Sequence, residues 1–266
     1  MDSYEALLEK VDAVYIKAQP EEHFEMVKKA IEAGKHVLCE APSALSEEGY
    51  QLLLKEAEEC QVVFEEGLKT AYATAYSRLR LLIKTGIIGQ VVSIDAICTS
   101  LNEDPNDMKG RWDPFFEWGP TAMLPVFQIM GTEYQEKHVY THFADAQKKH
   151  DDFSRIDLIY KNSVASLKVA SGVKSEGELI VSGTKGYIYV PAPWWNTDYF
   201  EVRYEDPKNN KRYFYQLDGE GIRYELVCFL QNVRKWSQQR YIEPEVSRAI
   251  CREAGEFLKR KGIREI

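Results

Sequence analysis

The chain has 266 residues, 44% of them hydrophobic, which is enough for one large domain or two modest ones with packed cores. The formal net charge of -8 disfavours non-specific binding to nucleic acid or to an anionic membrane. No apolar run approaches the ~20 residues that span a bilayer, and the polar start MDSYEALLEK is unlike a signal peptide.

The cysteines argue for an intracellular protein without a metal centre. They are odd in number, scattered, and form no CxxC motif or Cys/His cluster. We therefore expect free thiols in a reducing cytoplasm and no zinc site. The five positions are Cys39, Cys60, Cys98, Cys228 and Cys251.

The first 70 residues alternate short apolar runs with amphipathic stretches. Helices are predicted over Glu21–Ala33, where Gly34 fits a C-terminal cap, and over Ser46–Cys60. This strand–helix alternation predicts a parallel, doubly wound sheet in a domain of residues 1–70. The predicted strands are Val11–Ile16, His36–Glu40 and Gln61–Glu65.

Residues 71–266 have a different pattern and are predicted to form a second, α+β domain. Helices are predicted over Ala73–Thr85, Trp118–Met130, Tyr224–Arg240 and Pro244–Lys261. Segments with period-2 alternation, joined by turns, predict a large, mostly antiparallel sheet. These segments are Val91–Thr99, Lys137–Ala146, Arg155–Tyr160, Ser163–Ala170, Glu178–Ser182, Tyr187–Val190, Tyr199–Glu205 and Arg212–Leu217.

Val11–Pro42 resembles the second half of the Rossmann domain in the Gfo/Idh/MocA family of oxidoreductases. The similarity is carried by the AGKHV motif that starts at Ala33, by His23 eleven residues before Gly34, and by Glu-Ala-Pro where the family has Glu-Lys-Pro. Further motifs are similar to a branch whose members are sometimes fused to a nucleotidyltransferase domain. The resemblance implies a partial Rossmann-like parallel sheet followed by the family's antiparallel domain. These further motifs are KTAY, KSEG, APWW and GIRYEL.

Set beside the family pattern, the sequence lacks the parts that do the chemistry. No GxGxxG occurs, and the resemblance implies that the first three strands of the parallel sheet are missing. We therefore expect this chain alone to bind no NAD(P), although it could if the missing half came from another chain or from upstream sequence. The family's Lys, Asp and His positions are Ala41, Leu124 and Gln128, so no residue is predicted to be catalytic.

The surviving site candidates fall into two groups. Glu40 and Pro42 end a parallel strand at the edge where ligands bind in such sheets, and with His23 they are predicted to contact a cofactor. For each of them a purely structural role is the alternative. The predicted substrate-pocket residues are Lys69, Arg111, Trp112 and Gln128. Of the adjacent Trp194 and Trp195, one is expected in the core and the other at an interface or against a sugar.

Three functions remain open from the sequence. The first is a degenerate family member that binds a sugar-like ligand or a partner without oxidising it. The second is an NAD(P)-dependent dehydrogenase of a sugar or nucleotide-linked sugar, completed by another chain or by upstream sequence. The third is a gene fragment without a selected role. In addition, an apolar edge strand at Val11–Ile16 needs a cover, and the antiparallel sheet predicts a homodimer.

Overall fold

The computed structural model describes residues 3–101, 112–144, 150–235 and 240–266. It divides into two compact units, one of Met1–Leu68 with Ile222–Lys259 and one of Lys69–Gly221 with Arg260–Ile266. The predicted second domain, 71–266, therefore differs at its C-terminal end, because the last two helices belong to the first unit. These helices belong to the first unit because they pack on it and also hydrogen-bond to its third strand. Asn232 donates to Glu65, and Cys251 donates to Glu66.

The first unit is built on a three-stranded parallel sheet in the order β1-β2-β3. The strands are β1 (Ala13–Ile16), β2 (His36–Glu40) and β3 (Phe64–Gly67). The predicted strands are thus confirmed, with the third beginning three residues later than Gln61. The helices are α1 (Tyr4–Leu8), α2 (Pro20–Glu32), α3 (Glu47–Glu59), α7 (Ile222–Lys235) and α8 (Pro244–Leu258).

The two faces of this sheet are covered in different ways. Alternate residues such as Val14, Val37 and Phe64 form one apolar core with residues of α2, α3 and α8. Helix α7, in contrast, buries the polar Glu225 and Asn232 and leaves apolar residues such as Leu230 partly exposed. The same buried face of α7 carries Phe229, and Asn232 donates a hydrogen bond to the carboxylate of Glu65 on β3.

The second unit contains a nine-stranded sheet in the order β11-β10-β9-β8-β4-β7-β6-β5-β12. All neighbouring strands pair antiparallel except β4 with β7 and β12 with β5, so the mostly antiparallel sheet is confirmed. The strands are β4 (Val91–Ser100), β5 (Glu136–Phe143), β6 (Asp151–Ile159), β7 (Val164–Ser171), β8 (Leu179–Gly183), β9 (Tyr187–Val190), β10 (Tyr199–Arg203), β11 (Lys211–Phe214) and β12 (Ile263–Glu265).

Three helices accompany this sheet: α4 (Lys69–Tyr72), α5 (Thr74–Lys84) and α6 (Pro114–Met130). Helix α6 begins four residues before the predicted Trp118 and continues through Pro120 and Pro125. It packs on β4, β6 and β7, against the buried alternate residues of those strands. Among the described residues, no helix is both long and apolar enough to cross a bilayer.

Candidate functional site

In the first unit, the predicted cofactor residues gather at the carboxyl ends of the parallel strands. Glu40 is the last residue of β2, and its carboxylate accepts a hydrogen bond from the hydroxyl of Tyr15 on the neighbouring strand β1. Burial, followed by the negative charge of Glu40, raises the pKa of the Tyr15 hydroxyl well above its usual range. The sequence analysis did not name Tyr15 as a site residue. Its position in the strand predicted next to that of Glu40 is the signal that could have indicated the contact.

The imidazole of His23 is fully buried and holds two loops together. With Nδ1 protonated, it donates to the carbonyl oxygen of Pro42 at 2.8 Å, while Nε2 accepts from the backbone N–H of Ala18 at 3.2 Å. His23 opens α2, so the ring joins the end of β1 to the loop after β2. The structure thus gives His23 a positioning role, and the predicted cofactor contact remains a prediction.

A buried carboxyl group fixes the same loop from the other side. The hydroxyl and the backbone N–H of Ser43 both donate to Oε1 of Glu66, at 2.6 and 2.7 Å. The thiol of Cys251 on α8 lies 3.4 Å from the same oxygen. Desolvation raises the pKa of Glu66, against the lowering effect of these donors. Pro42 is itself buried, so its side chain is part of a packed loop rather than an exposed edge.

The strand ends of this unit are acidic. Glu225 of α7 is 1% exposed, and a side chain on Gly67 would bring its first carbon within 2.3 Å of the Glu225 carboxylate. Asn232 donates to Glu65 at 2.5 Å. The sequence analysis did not predict these contacts, because they join β3 to a helix that lies far along the chain. Asn232 and Glu65, for example, are 167 residues apart in sequence.

The two helix starts that follow β1 and β2 carry the wrong charge for a dinucleotide pyrophosphate. Pyrophosphate binds at helix N-termini, where free N–H groups and the helix dipole attract negative charge. Here α2 starts with Glu21 and Glu22, and α3 starts with Glu47 and Glu48. These carboxylates already neutralise both dipole ends and would repel a phosphate.

In the second unit, the predicted substrate residues have different surroundings. Lys69 donates from Nζ to Glu220 Oε2 at 2.9 Å, and this contact lowers the pKa of Glu220. Gln128 accepts a hydrogen bond at Oε1 from the hydroxyl of the buried Tyr76, at 3.0 Å. Trp112 is half-buried, while Arg111 lies outside the described residues.

The positions where the family has Lys, Asp and His carry no group that titrates near neutrality. Ala41 is 3% exposed and Leu124 is 0% exposed, so both side chains are packed. Gln128 can donate or accept a hydrogen bond but does not move a proton at neutral pH. These three positions therefore supply no general acid or base.

Comparison with known proteins places these features in a family context. A model of an oxidoreductase family with an NAD-binding Rossmann fold matches residues 1–68. A dTDP-3,4-didehydro-2,6-dideoxy-alpha-D-glucose 3-reductase from Streptomyces violaceoruber is 35% identical over 59% of this chain and 46% of its own length. The chain thus spans less than half of that relative. A trans-1,2-dihydrobenzene-1,2-diol dehydrogenase from Xenopus tropicalis is 23% identical over 95% of this chain and 80% of its own length.

Solved structures show the same fold. A 3-ketoreductase from Actinomadura kijaniata, in complex with NADP and TDP-benzene, matches with a TM-score of 0.85 at 18% identity, over 100% of this chain and 83% of its own. A UDP-N-acetylglucosamine 3-dehydrogenase from Acidithiobacillus ferrooxidans matches with a TM-score of 0.78 at 19% identity, over 97% of this chain and 81% of its own. At these identities the likeness shows the fold alone.

Proposed function

We propose that this chain, which belongs to the Gfo/Idh/MocA family of oxidoreductases, binds a sugar or nucleotide-linked sugar without transferring hydride by itself. The observation that carries the proposal is the set of side chains at the three positions of proton transfer. Ala41 and Leu124 are packed and aliphatic, and the Gln128 amide is held by Tyr76. None of the three groups can give or take a proton at neutral pH.

The ligand class is supported by the relatives. The Streptomyces protein is named for a dTDP-linked sugar, and the Acidithiobacillus protein for UDP-N-acetylglucosamine. Both are sugars attached to a nucleoside diphosphate. We propose a ligand of this chemical class for the second unit, whose sheet and α6 correspond in kind to the fold of those enzymes.

The acidic helix starts support the view that this chain's own residues do not hold NAD(P). Nicotinamide cofactors supply hydride transfer in such enzymes, and their pyrophosphate needs a neutral or basic cradle. Glu21, Glu22, Glu47 and Glu48 give the opposite charge at both helix starts after β1 and β2.

A second candidate function is favoured by a separate observation. The match of residues 1–68 to an NAD-binding Rossmann model is what a working dehydrogenase would show. In that case another chain or further sequence would supply the phosphate cradle. Ala41 and Leu124 would still need a substitute for the missing proton donor.

Calorimetric titration separates the two functions. We expect dTDP-glucose or UDP-N-acetylglucosamine to bind the purified chain with a Kd below ~1 mM, equivalent to about -4 kcal/mol, and NADPH not to bind in this range. An absorbance assay that follows the reduction of NADP+ by the same sugar nucleotides is expected to show no formation of NADPH. Binding of NADPH together with sugar-dependent reduction of NADP+ would overturn the proposal in favour of the second function.

We further propose that the nine-stranded sheet forms a homodimer through the face opposite α6. Near one edge, that face presents aromatic and arginine side chains, the residue types enriched in protein interfaces. Phe214 is 74% exposed and its ring centroid lies 4.5 Å from that of Tyr199. Arg203 lies 4.5 Å over the ring of Tyr189 and donates to Glu201 at 2.6 Å.

Sedimentation of two matched variants tests the dimer. Phe214→Glu places a charge on the proposed interface and is expected to give monomer at micromolar concentration. Leu81→Glu changes an equally apolar residue that is 50% exposed on α5, away from the sheet face, and is expected to remain dimeric. A parent protein that sediments only as monomer at this concentration would overturn the proposal.

A further inference from the structure

Two tryptophans of the second unit form a partly exposed aromatic pair. The ring centroids of Trp118 on α6 and Trp195 lie 4.8 Å apart, with the planes tilted by 54°. Both side chains are half-buried. Their neighbour Trp194 is different, because it is fully buried and donates from Nε1 to the carbonyl oxygen of Ile97 at 3.0 Å. Trp194 therefore anchors the segment, and Trp195 is available at its surface.

The position of Trp195 is fixed by two contacts in addition to its pairing with Trp118. Thr70 donates from its hydroxyl to the Trp195 carbonyl oxygen at 2.8 Å. The indole ring lies so close to Gly177 that a first side-chain carbon there would sit 3.3 Å from two ring atoms. Gly177 also has φ +81, which favours glycine. A ring held in this way loses little entropy when a ligand stacks on it.

Polar groups beside the pair lack partners. Within the part of the chain that the structure describes, Nε1 of Trp118 is buried and has no acceptor. Oδ1 of Asn196, next to Trp195 in sequence, is likewise buried without a donor. The indole N–H is a hydrogen-bond donor, which is the complement of a ring that carries an oxygen acceptor.

We infer that Trp118 and Trp195 form the stacking platform for one ring of a nucleotide-linked sugar, with the indole N–H of Trp118 donating to a ring substituent. This inference rests on the proposed function and deepens it. The shared chemistry is a ring with an apolar face and an oxygen acceptor, which both a pyrimidine base and a hexose possess. Stacking of a base on an aromatic ring is strong enough for the platform to account for a large share of millimolar binding.

Calorimetry with three probes and four variants tests the inference. The probes are dTDP-glucose, dTDP and glucose. If dTDP binds without the hexose, the base is the stacked ring. If binding requires the hexose, the sugar is the stacked ring. We expect Trp195→Ala to weaken dTDP-glucose binding at least ~10-fold. Trp195→Phe keeps an aromatic face and is expected to stay within ~3-fold of the parent. Trp118→Phe removes the N–H donor and is expected to weaken binding ~5-fold.

Tyr134→Ala is the matched control, because it removes the half-buried ring of another aromatic pair, whose buried partner Tyr160 lies 6.5 Å away. It is expected to bind like the parent. Circular dichroism of all variants checks that they remain folded. If dTDP-glucose binds and Trp195→Ala leaves its Kd unchanged, the inference is wrong while the proposed function stands. If no sugar nucleotide binds the parent, both are wrong.

Discussion

The side chain of His23 is fully buried and donates from Nδ1 to the carbonyl oxygen of Pro42 at 2.8 Å. It thereby ties the start of α2 to the loop that carries Ala41. His23→Ala leaves this carbonyl and the Ala18 backbone without a partner and opens a small cavity. We expect a loss of ~2–4 kcal/mol in the free energy of unfolding, measured by urea denaturation.

His138→Ala serves as the control for this substitution. The His138 side chain is 51% exposed and its contact with Glu136 is 3.6 Å long. A change within ~0.5 kcal/mol is expected there. Equal effects of the two substitutions would show that His23 does not link the loops.

Asp151 links stability to pH. It begins β6, is 3% exposed, and accepts the backbone N–H of Phe115 in the first turn of α6. Burial, followed by the charge of Asp113, raises its pKa from 3.8 to about 7. Between about pH 4 and pH 7 the folded protein keeps a proton that the unfolded chain releases. Stability therefore falls as the pH rises through this window and is constant above it.

Asp151→Asn keeps an oxygen that accepts from Phe115 but cannot ionise. We expect the variant to be more stable than the parent at about pH 8 by up to ~4 kcal/mol, and similar to it near pH 4. His150, which lies 2.7 Å from Asp113, is present in both proteins, so the difference between their stabilities reports Asp151. Asp198→Asn, at an exposed position of the same unit, is the control and should not alter the slope. Parallel pH profiles for Asp151→Asn and the parent would contradict the prediction.

Two helical glycines should respond to alanine in opposite directions. In α8, a first side-chain carbon on Gly255 would lie 2.1 Å from the carbonyl oxygen of Leu45, which is backbone and cannot rotate away. In α6, the same carbon on Gly119 would meet Met123 at 3.5 Å, an ordinary contact. We expect Gly255→Ala to lower stability by ~2 kcal/mol or more. Gly119→Ala is expected to be neutral or to add up to ~1 kcal/mol, because alanine favours helices.

Thermal unfolding of the two variants beside the parent checks this pair. A similar melting temperature for Gly255→Ala and Gly119→Ala would show that α8 is not held against Leu45 as described. It would also contradict the described packing of α8 beside α3, which depends on the close approach of Gly255 to the backbone of Leu45.

Much of the fold follows from local pattern. The strand at His36–Glu40 and the hairpin strand at Tyr187–Val190 have the predicted bounds because alternation and flanking glycines define them. Helix α1 and strand β12 were not predicted, since five and three residues are too few for a clear period. The sequence could not assign α7 to the first unit, because the contacts that place it there join residues far apart in the chain. In addition, α7 buries the polar Glu225 and Asn232, so its hydrophobic pattern predicts that the wrong face of the helix is buried.

The site was predictable in part. The positions of Glu40 and Pro42 at a strand end follow from the order of strands and helices. Their partners do not, because Tyr15, Ser43 and Glu66 meet only after the chain folds. The same holds for Trp118 and Trp195, which lie on a helix and a distant turn. Local periodicity carries no information about such contacts.

Ala41→Lys tests whether the family's lysine position alone limits catalysis. Ala41 is 3% exposed, so a lysine there must either push its ammonium group out past the loop or lose its hydration. Even if the lysine reaches a ligand, the packed Leu124 and the amide of Gln128 still offer no second proton-transfer group. We therefore expect no sugar-dependent reduction of NADP+ and a lower melting temperature than that of the parent. Ala192→Lys, at an exposed position, is the control and should melt like the parent. Turnover in Ala41→Lys above that of the parent would show that a single side chain had silenced a working dehydrogenase.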